Sequence, residues 1–305
     1  STVNTVLGPV ESADLGFTLV HEHMGTNAAG LRHTYPEFID RSGIIQQSAD
    51  ALREAYVEGL RTMVDVSTFD LGRDIGAMQE VSRRSGVQIV AATGNHLSVP
   101  RPFGDVSPDV IAPLYVREIE QGIEDTGVKA GIIKVASRGG ITPPQEVVLR
   151  AAARAHLRTG MPISTHTWSP DVGDQQVRIL EEEGVDLSRV YIGHSNDTTD
   201  LDYLLGLLGK GVWVGLDRYG VPGTPQWEQR TETAKRLIDA GYCHRIMLSH
   251  DSVPKARNGA EERRRANPDG YNFIPRKVLP KLKELGVSDE DIKQIMVENP
   301  RRFFE

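Results

Sequence analysis

Short, continuous apolar runs alternate with amphipathic stretches along most of the chain. Helix-like segments at residues 43–58 and 74–84 each lead through a glycine into an apolar run, at residues 62–67 and 87–93. A continuous apolar run of this length is typical of a strand that is covered on both faces. The pattern therefore predicts repeated units of helix, glycine and buried strand.

The same unit recurs along the chain, with further helices expected at residues 115–125 and 145–158. Eight parallel strands with intervening helices in about 250 residues fit a closed barrel better than an open sheet. We therefore predict an α/β fold, a single (β/α)8 TIM barrel domain over residues 1–305, with a short N-terminal hairpin and C-terminal capping helices. Its strands are expected at residues 17–24, 62–67, 87–93, 131–136, 162–166, 189–194, 211–217 and 245–251.

Several of the predicted strands end in residues of the types that bind metal ions. In a barrel of this kind the C-terminal strand ends surround one active face, so residues that end different strands meet there. His21 and His23 are two apart, so on a strand their side chains point the same way. Six residues of these types lie at or near the ends of the predicted strands, which is too many ligands for one tetrahedral zinc ion and suits two ions about 3.5–4 Å apart. The predicted ligands are His21, His23, Lys134, His166, His194 and Asp251.

The histidine and lysine ligands also have simpler explanations. Two histidines in a short run arise by chance at a strand terminus, and His166 and His194 are each compatible with hydrogen-bonded core histidines. A protonated Lys134 would be repelled by cations, so it must be neutral or be carboxylated by carbon dioxide into a bridging ligand, unless it lies outside the barrel. His250 precedes Asp251 on its strand, and alternation turns it away from the metals.

Composition restricts the classes of partner. The chain is 39% hydrophobic and 25% charged, and no apolar run approaches the roughly 20 residues of a membrane span. A net charge of -7 argues against a nucleic-acid surface, and we interpret the basic run at residues 263–265 as a solvated helix face. The single cysteine, Cys243, excludes an intramolecular disulfide. A cytoplasmic location is expected, with export of a longer precursor left open.

The stretch at residues 253–269, after the eighth predicted strand, has no predicted secondary structure. It is charged and rich in arginine, asparagine and glycine. Loops of this length in a compact domain usually act as lids or binding walls. We therefore expect this stretch to border the active face.

Five short motifs carry the predicted ligands in order along the chain. They are His21-Glu-His23, Gly131-Ile-Ile-Lys134-Val-Ala, Thr165-His166-Thr, Ile192-Gly-His194-Ser and Ser249-His250-Asp251. These motifs and their separations resemble the phosphotriesterase family of the amidohydrolase superfamily. The resemblance covers nearly the whole chain.

The resemblance implies a binuclear metal hydrolase with two divalent ions, zinc being favoured over cobalt, manganese or iron. By position, His21, His23 and Asp251 would bind the buried ion, and His166 and His194 the more exposed one. A carboxylated Lys134 and a hydroxide would bridge the two ions. The resemblance also implies a homodimer, for which Tyr35, Phe38 and Phe69 are the expected interface anchors.

Departures from the family motifs bear on the substrate. Organophosphate-degrading members carry a histidine at the end of the seventh strand, whereas this chain has Arg218-Tyr219-Gly220, which resembles the lactonase branch. Arginine cannot act as a base, which weakens a proton relay from Asp251 to Asp197. Arg218 either steers an oxygen-rich substrate or forms a structural ion pair. His96 replaces the aromatic residue expected beside the metals.

The predicted catalytic residues are therefore Asp251, Arg218 and Asp197, and the predicted substrate contacts are His96, Arg218 and Tyr219. The expected substrate is a small ester, lactone or phosphotriester, with lactonase activity favoured and phosphotriester hydrolysis beside it. One alternative is a dedicated organophosphate phosphotriesterase. Another is a barrel that retains its metals but only binds a ligand.

Overall fold

Eight parallel strands surround the centre of the fold in the computed structural model, which describes residues 1–168, 170–254 and 260–305. An antiparallel hairpin precedes them, made of β1 (Thr2–Thr5) and β2 (Gly8–Glu11). The barrel strands are β3 (Thr18–Glu22), β4 (Thr62–Asp65), β5 (Gln88–Gly94), β6 (Ile132–Ser137), β7 (Ile163–Thr167), β8 (Val190–Ile192), β9 (Trp213–Leu216) and β10 (Ile246–Leu248). The predicted (β/α)8 barrel and N-terminal hairpin are confirmed.

Neighbouring barrel strands pair in parallel and in chain order, from β3 to β10. The barrel closes just beyond the end of β10. There the Asp251 amide donates to the His21 carbonyl oxygen over 3.0 Å, and the His23 amide donates to the Ser252 carbonyl oxygen over 3.0 Å. The closing seam therefore fixes three of the predicted ligands relative to one another.

Helices occupy the connections and the C-terminal cap. None of the described helices is both long and apolar enough to cross a bilayer. The helices are α1 (Leu31–Thr34), α2 (Arg41–Val57), α3 (Ile75–Ser85), α4 (Arg101–Gly104), α5 (Pro108–Glu120), α6 (Pro143–Thr159), α7 (Pro170–Glu182), α8 (Leu201–Gly209), α9 (Trp227–Leu237), α10 (Ala260–Ala266), α11 (Leu279–Glu284), α12 (Asp289–Lys293) and α13 (Asn299–Phe304).

The helix expected at residues 115–125 begins earlier than predicted, as α5. Ser107 caps its N-terminus by accepting a hydrogen bond from the Asp109 amide over 3.2 Å, and Pro108 occupies the first helical position. Proline is favoured there because its missing amide would have no partner in the first turn. Gly122, with φ 141°, follows the end of the helix.

The stretch predicted to lack structure at residues 253–269 contains the helix α10. Residues 255–259 of that stretch lie outside the described part of the chain. Arg264 and Arg265 are exposed on α10, as expected of a solvated basic face. Arg263 is partly buried and donates to the Asp251 carbonyl oxygen over 3.1 Å, so α10 contacts the active face.

The inside of the barrel is apolar below the active face. Phe303, in the C-terminal helix, closes the opposite end, with its ring centroid 6.1 Å from those of Tyr191 and Trp213. This is the packing expected of the C-terminal cap. The buried apolar residues of the interior include Val20, Val64, Val90, Ile132 and Met247.

The three residues expected to anchor a homodimer differ in exposure. Tyr35 and Phe38 are 55% and 48% exposed. Phe69 is half-buried, and its ring centroid lies 6.3 Å from that of Phe103. Phe69 is therefore less suited to an interface than the other two, and the homodimer stays a prediction.

Gly94 ends β5 against the backbone of Lys134. Its φ is 107°, and a Cβ at this position would lie 2.0 Å from the Lys134 carbonyl oxygen. That oxygen accepts a hydrogen bond from the Asn95 amide over 2.9 Å. Glycine is required here because any side chain would separate β5 from β6, and it thereby fixes the depth of Lys134 in the barrel.

Replacing Gly94 with alanine is expected to lower the free energy of unfolding by about 1–3 kcal/mol more than replacing Gly59. Gly59 has φ 118°, but a Cβ there would meet no atom within 4 Å, so Gly59→Ala measures the backbone cost alone. Chemical unfolding of both variants gives the difference. Equal losses would contradict the close packing of Gly94 against Lys134.

Candidate metal centre

The six predicted ligand residues lie at the same end of the barrel, and none is more than 6% exposed. Two come from the end of β3 and one each from β6 and β7, while the last two follow the ends of β8 and β10. In this order they are His21, His23, Lys134, His166, His194 and Asp251. Six polar side chains are thus gathered in one buried volume.

The first group of donor atoms surrounds one oxygen of Asp251. Asp251 Oδ1 lies 3.2 Å from His23 Nε2 and 3.6 Å from His21 Nε2. Lys134 Nζ lies 3.4 Å from His21 Nε2. The ligand atoms of His21, His23 and Asp251 all lie within 4.8 Å of one another, which is the spacing of groups that share a cation.

The second group consists of two imidazole rings in edge-on contact. His166 Nδ1 lies 2.7 Å from His194 Nε2, and the ring centroids are 4.4 Å apart. The other nitrogen of His166, Nε2, is buried with no partner among the described residues. A buried polar nitrogen without a partner is costly, so this group has unused capacity to bind.

One carboxylate, that of Asp217, orients rings from both groups. Its Oδ1 accepts from the amide and from Nδ1 of His194, over 2.8 and 2.7 Å. Its Oδ2 accepts from the Tyr191 hydroxyl over 2.7 Å and lies 3.1 Å from His21 Nδ1. Because Nδ1 of each ring faces Asp217, Nε2 of each ring faces the centre.

Asp217 also forms a cluster of metal-ligand type with His21 and His194. Both of its oxygens are occupied by hydrogen-bond donors, and it faces the Nδ1 side of each ring. We therefore assign Asp217 to orienting the histidines rather than to binding a cation itself.

His23 is held by the end of β4. Its Nδ1 lies 2.8 Å from Ser67 Oγ, which leaves Nε2 directed at Asp251. The Asp65 carboxylate accepts from the Met24 and Ser67 amides, both over 2.9 Å, and so fixes the chain on either side of this contact. Sequence reasoning missed these supporting residues.

Glu22 and His250 point away from the centre, as strand alternation predicts. Glu22 Oε1 accepts from the His250 amide over 2.9 Å and lies 2.7 Å from His250 Nδ1. His250 Nε2 accepts from the Ile274 amide over 3.0 Å. Both nitrogens of His250 are therefore used within the fold.

Burial keeps the centre poor in protons. Burial first, and then the positive charge of Lys134, lowers the pKa of His21 to about 3. Burial, followed by the neighbouring His194, lowers the pKa of His166 well below its ordinary value. Burial also lowers the pKa of Lys134 to about 8, although nearby carboxylates oppose it. Neutral imidazoles keep a free lone pair, so this donor set fits divalent cations.

The second oxygen of Asp251 binds Arg218. Arg218 Nη1 donates to Asp251 Oδ2 over 2.8 Å, and Arg218 Nε lies 3.4 Å from Asp197 Oδ2. Asp197 also accepts from Arg230 Nη1 over 2.9 Å. Burial alone would raise the pKa of the Asp251 carboxyl, but His194, His23 and Arg218 outweigh burial and hold that pKa well below its usual range.

Two further predicted contacts occupy different surroundings. The His96 ring makes an edge-on contact with His166, with centroids 4.7 Å apart, and its buried Nδ1 has no partner among the described residues. The Tyr219 hydroxyl lies 3.3 Å from Thr231 Oγ1 in α9, and its side chain is only 3% exposed. The Tyr219 side chain thus contacts α9, and its role in binding the substrate stays a prediction.

Comparison with known proteins supports the motif analysis. The model of the phosphotriesterase family matches residues 1–304. The chain belongs to the phosphotriesterase family. It is 39% identical to a phosphotriesterase homology protein of Mycobacterium tuberculosis, over 99% of this chain and 97% of the relative.

Two other relatives have names that state an activity. An aryldialkylphosphatase of Saccharolobus solfataricus is 38% identical, over 97% of this chain and 96% of the relative. An N-acetyltaurine hydrolase of Dictyostelium discoideum is 32% identical, over 80% of this chain and 69% of the relative. The resemblance inferred from the motifs is confirmed at the level of the family.

Asp217 is the main residue that sequence reasoning missed in this phosphotriesterase-family chain. It directly follows β9, so the rule that selected the other strand-end residues would have selected it too. Its position before Arg218 drew attention to the arginine instead. The contacts of Ser67 could not be read from any pattern, because they depend on where β4 ends relative to His23.

Asp217→Asn is expected to weaken metal binding by about 10–100-fold, because an amide nitrogen would face donors that now meet a carboxylate oxygen. Tyr191→Phe is the matched control: it removes one hydrogen bond to Asp217 and keeps the charge. Competition with a chelator measures both affinities, with circular dichroism as the check on folding. A folded Asp217→Asn protein with unchanged affinity would refute the role of Asp217.

Proposed function

We propose that this phosphotriesterase-family protein is a binuclear metal-dependent hydrolase that opens lactones and related esters, with phosphotriester hydrolysis as a side activity. The observation that carries the proposal is the divided environment of Asp251. One of its oxygens lies among histidine nitrogens, and the other accepts from Arg218 over 2.8 Å. This divided environment supports a carboxylate that would bind a cation and would also handle a proton.

His21, His23 and Asp251 would hold one divalent ion, and His166 and His194 the other. Zinc is favoured, although cobalt, manganese and iron accept the same nitrogen and oxygen donors. Bound ions of this kind lower the pKa of water, from about 15.7 to about 7 for zinc, and polarise the oxygen of the bond to be cleaved. The protein contributes the placement of the donors and of the proton acceptor.

Carboxylation of Lys134 is part of the proposal. Lys134 is fully buried, and none of the described carboxylate oxygens lies within 4.0 Å of its amine. A buried ammonium group without a counter-ion is costly, and cations nearby would raise that cost. The neutral amine would react with carbon dioxide to form an N-carboxylate and release one proton, so the group would become anionic and would supply two oxygens to the centre.

Asp251 would accept the proton of the attacking water. The carboxylate is held ionised by His194, His23 and Arg218, so it is unprotonated and can accept that proton. When a lactone opens, the leaving alkoxide stays attached to the substrate and needs a proton, which Asp251 can return. An aryl phosphotriester loses a phenolate that is stable without one, so this return step matters less for it.

Arg218 supports the preference for lactones. It stands between Asp251 and Asp197, where a base would be needed to carry a proton outward. A guanidinium group has no free acceptor, so the proton on Asp251 is kept for the leaving group. Asp197 then serves to hold Arg218 and Arg230 in place, and its predicted relay role is not part of the proposal.

His96 would contact the substrate. Asp70 positions it, since Asp70 Oδ1 accepts from the His96 amide over 2.9 Å and Asp70 Oδ2 accepts from the Ser98 amide over 3.2 Å. Burial first, and then Lys134, lowers the pKa of His96 to about 2, so its ring is neutral. A neutral imidazole offers one donor and one acceptor to a bound ester.

A dedicated phosphotriesterase is the second candidate, favoured by the aryldialkylphosphatase relative at 38% identity. The two candidates share the same donor set and differ only in the order of substrate preference. The hydrolase class itself is supported by two relatives named for hydrolytic activities.

We expect the metal-loaded protein to show a catalytic efficiency on its best lactone at least about 100-fold above that on an aryl dialkyl phosphate, because Asp251 returns its proton only to an alkoxide. Initial rates over a panel of lactones and one such phosphate measure this, with chelated protein as the inactive control. Equal or higher efficiency on the phosphate would favour the second candidate. No activity on either, with two ions bound per chain, would favour a binding protein.

A further inference from the structure

An exposed tryptophan stands at the edge of the metal centre. Trp168 directly follows β7, which carries His166, and 48% of its surface is exposed. Its ring centroid lies 6.1 Å from that of His166. The indole ring therefore lies close to a candidate metal ligand. Its exposed face would form a flat apolar surface beside the position where a substrate would be cleaved.

Two guanidinium groups flank this indole ring. Arg138 Cζ lies 4.0 Å from the ring centroid of Trp168, and Arg218 Cζ lies 5.8 Å from it. Arg138 directly follows β6, so both arginines and the tryptophan stand at the ends of strands on the active face. A guanidinium stacked on an aromatic face keeps its in-plane donors free for another partner.

The two arginines differ in how their charge is balanced. Arg218 is paired with Asp251 and Asp197. Arg138 is exposed and forms no ion pair with any carboxylate among the residues whose side chains are described, 1–168, 172–254 and 262–305. In a chain with a net charge of -7, an unbalanced cation held at the mouth of the site attracts an anion there.

We infer that Arg138 and Trp168 form a subsite for an oxyanion carried by the substrate, either a carboxylate or a phosphate monoester. The inference rests on the proposed function and narrows its substrate class to anionic lactones. The lactone ring would lie along the Trp168 indole with its carbonyl toward His166. Its charged substituent would accept hydrogen bonds from Arg138.

Three γ-lactones that differ in one exocyclic group test this assignment: a hydroxyl, a carboxylate and a phosphate monoester. The anionic lactones are expected to exceed the neutral one in kcat/KM by about tenfold or more, mainly through KM, because a hydrogen bond to a charged group forms only with them. The preferred anion identifies which oxyanion the subsite takes. Equal kcat/KM for all three would overturn the inference.

Arg138→Gln is expected to remove most of the preference for the anionic lactones, measured as the ratio of their kcat/KM to that of the neutral lactone. Arg83→Gln is the matched control, because Arg83 is exposed in the last turn of α3, which leads into the other end of β5. Trp168→Phe should keep part of the preference and Trp168→Ala should lose it. A preference that survives Arg138→Gln would overturn the inference.

A binding measurement separates this inference from the proposed function. Glycerol 3-phosphate carries a phosphate monoester but neither a lactone nor a phosphotriester bond. In calorimetry on metal-loaded protein, its Kd is expected to rise about tenfold in Arg138→Gln and to stay unchanged in Arg83→Gln. An equal Kd in wild type and Arg138→Gln would place the anion on the metals alone and reject the subsite, whatever the protein hydrolyses.

Discussion

The carboxylate of Asp217 is buried between β3, β8 and β9 and is surrounded by donors from two of these strands. It accepts from His194 and Tyr191 and lies beside His21. Burial alone would raise the pKa of the Asp217 carboxyl, but His21 and His194 outweigh burial and lower it. An ionised carboxylate at this point determines which nitrogen of each ring faces the centre, and the rest of the site depends on that choice.

The neighbouring carboxylate of Asp251 differs from that of Asp217 in facing the Nε2 atoms of the histidines and an arginine. Its two oxygens face different partners, the histidines on one side and Arg218 on the other. His194 and Asp251 also adopt positive φ, at 57° and 53°, which residues other than glycine seldom do. The fold accepts this backbone cost at two residues of the centre, as is usual at functional sites.

Periodicity and strand-end position were enough to predict the barrel and to select the residues that meet in the centre. They work because parallel strands expose the same end and because alternation decides which side chain faces inward. The same rules do not determine the direction of the Tyr219 side chain, which lies beyond the end of β9 and contacts Thr231 in α9. They indicated a helix face at residues 263–265 but could not predict how α10 packs, because that depends on contacts such as that of Arg263 with Asp251.

Side-chain contacts between elements far apart in the chain also could not be predicted from the sequence. The pairing of Arg138 with Trp168 joins the ends of two strands through side chains that no local pattern relates. The same is true of Ser67 and His23, which come from different strands. Such contacts determine the tautomers and the charge balance, so the chemistry of the site became clear only with the structure.

Elemental analysis of wild-type protein and Lys134→Ala, both purified without added metal, tests the central claim most directly. A centre bridged by carboxylated Lys134 predicts about two divalent ions per wild-type chain and a large loss in Lys134→Ala. Added short carboxylic acids should restore part of that loss by supplying oxygens at the vacated bridge. A Lys134→Ala protein that keeps two ions and does not respond to the acids would contradict the binuclear account.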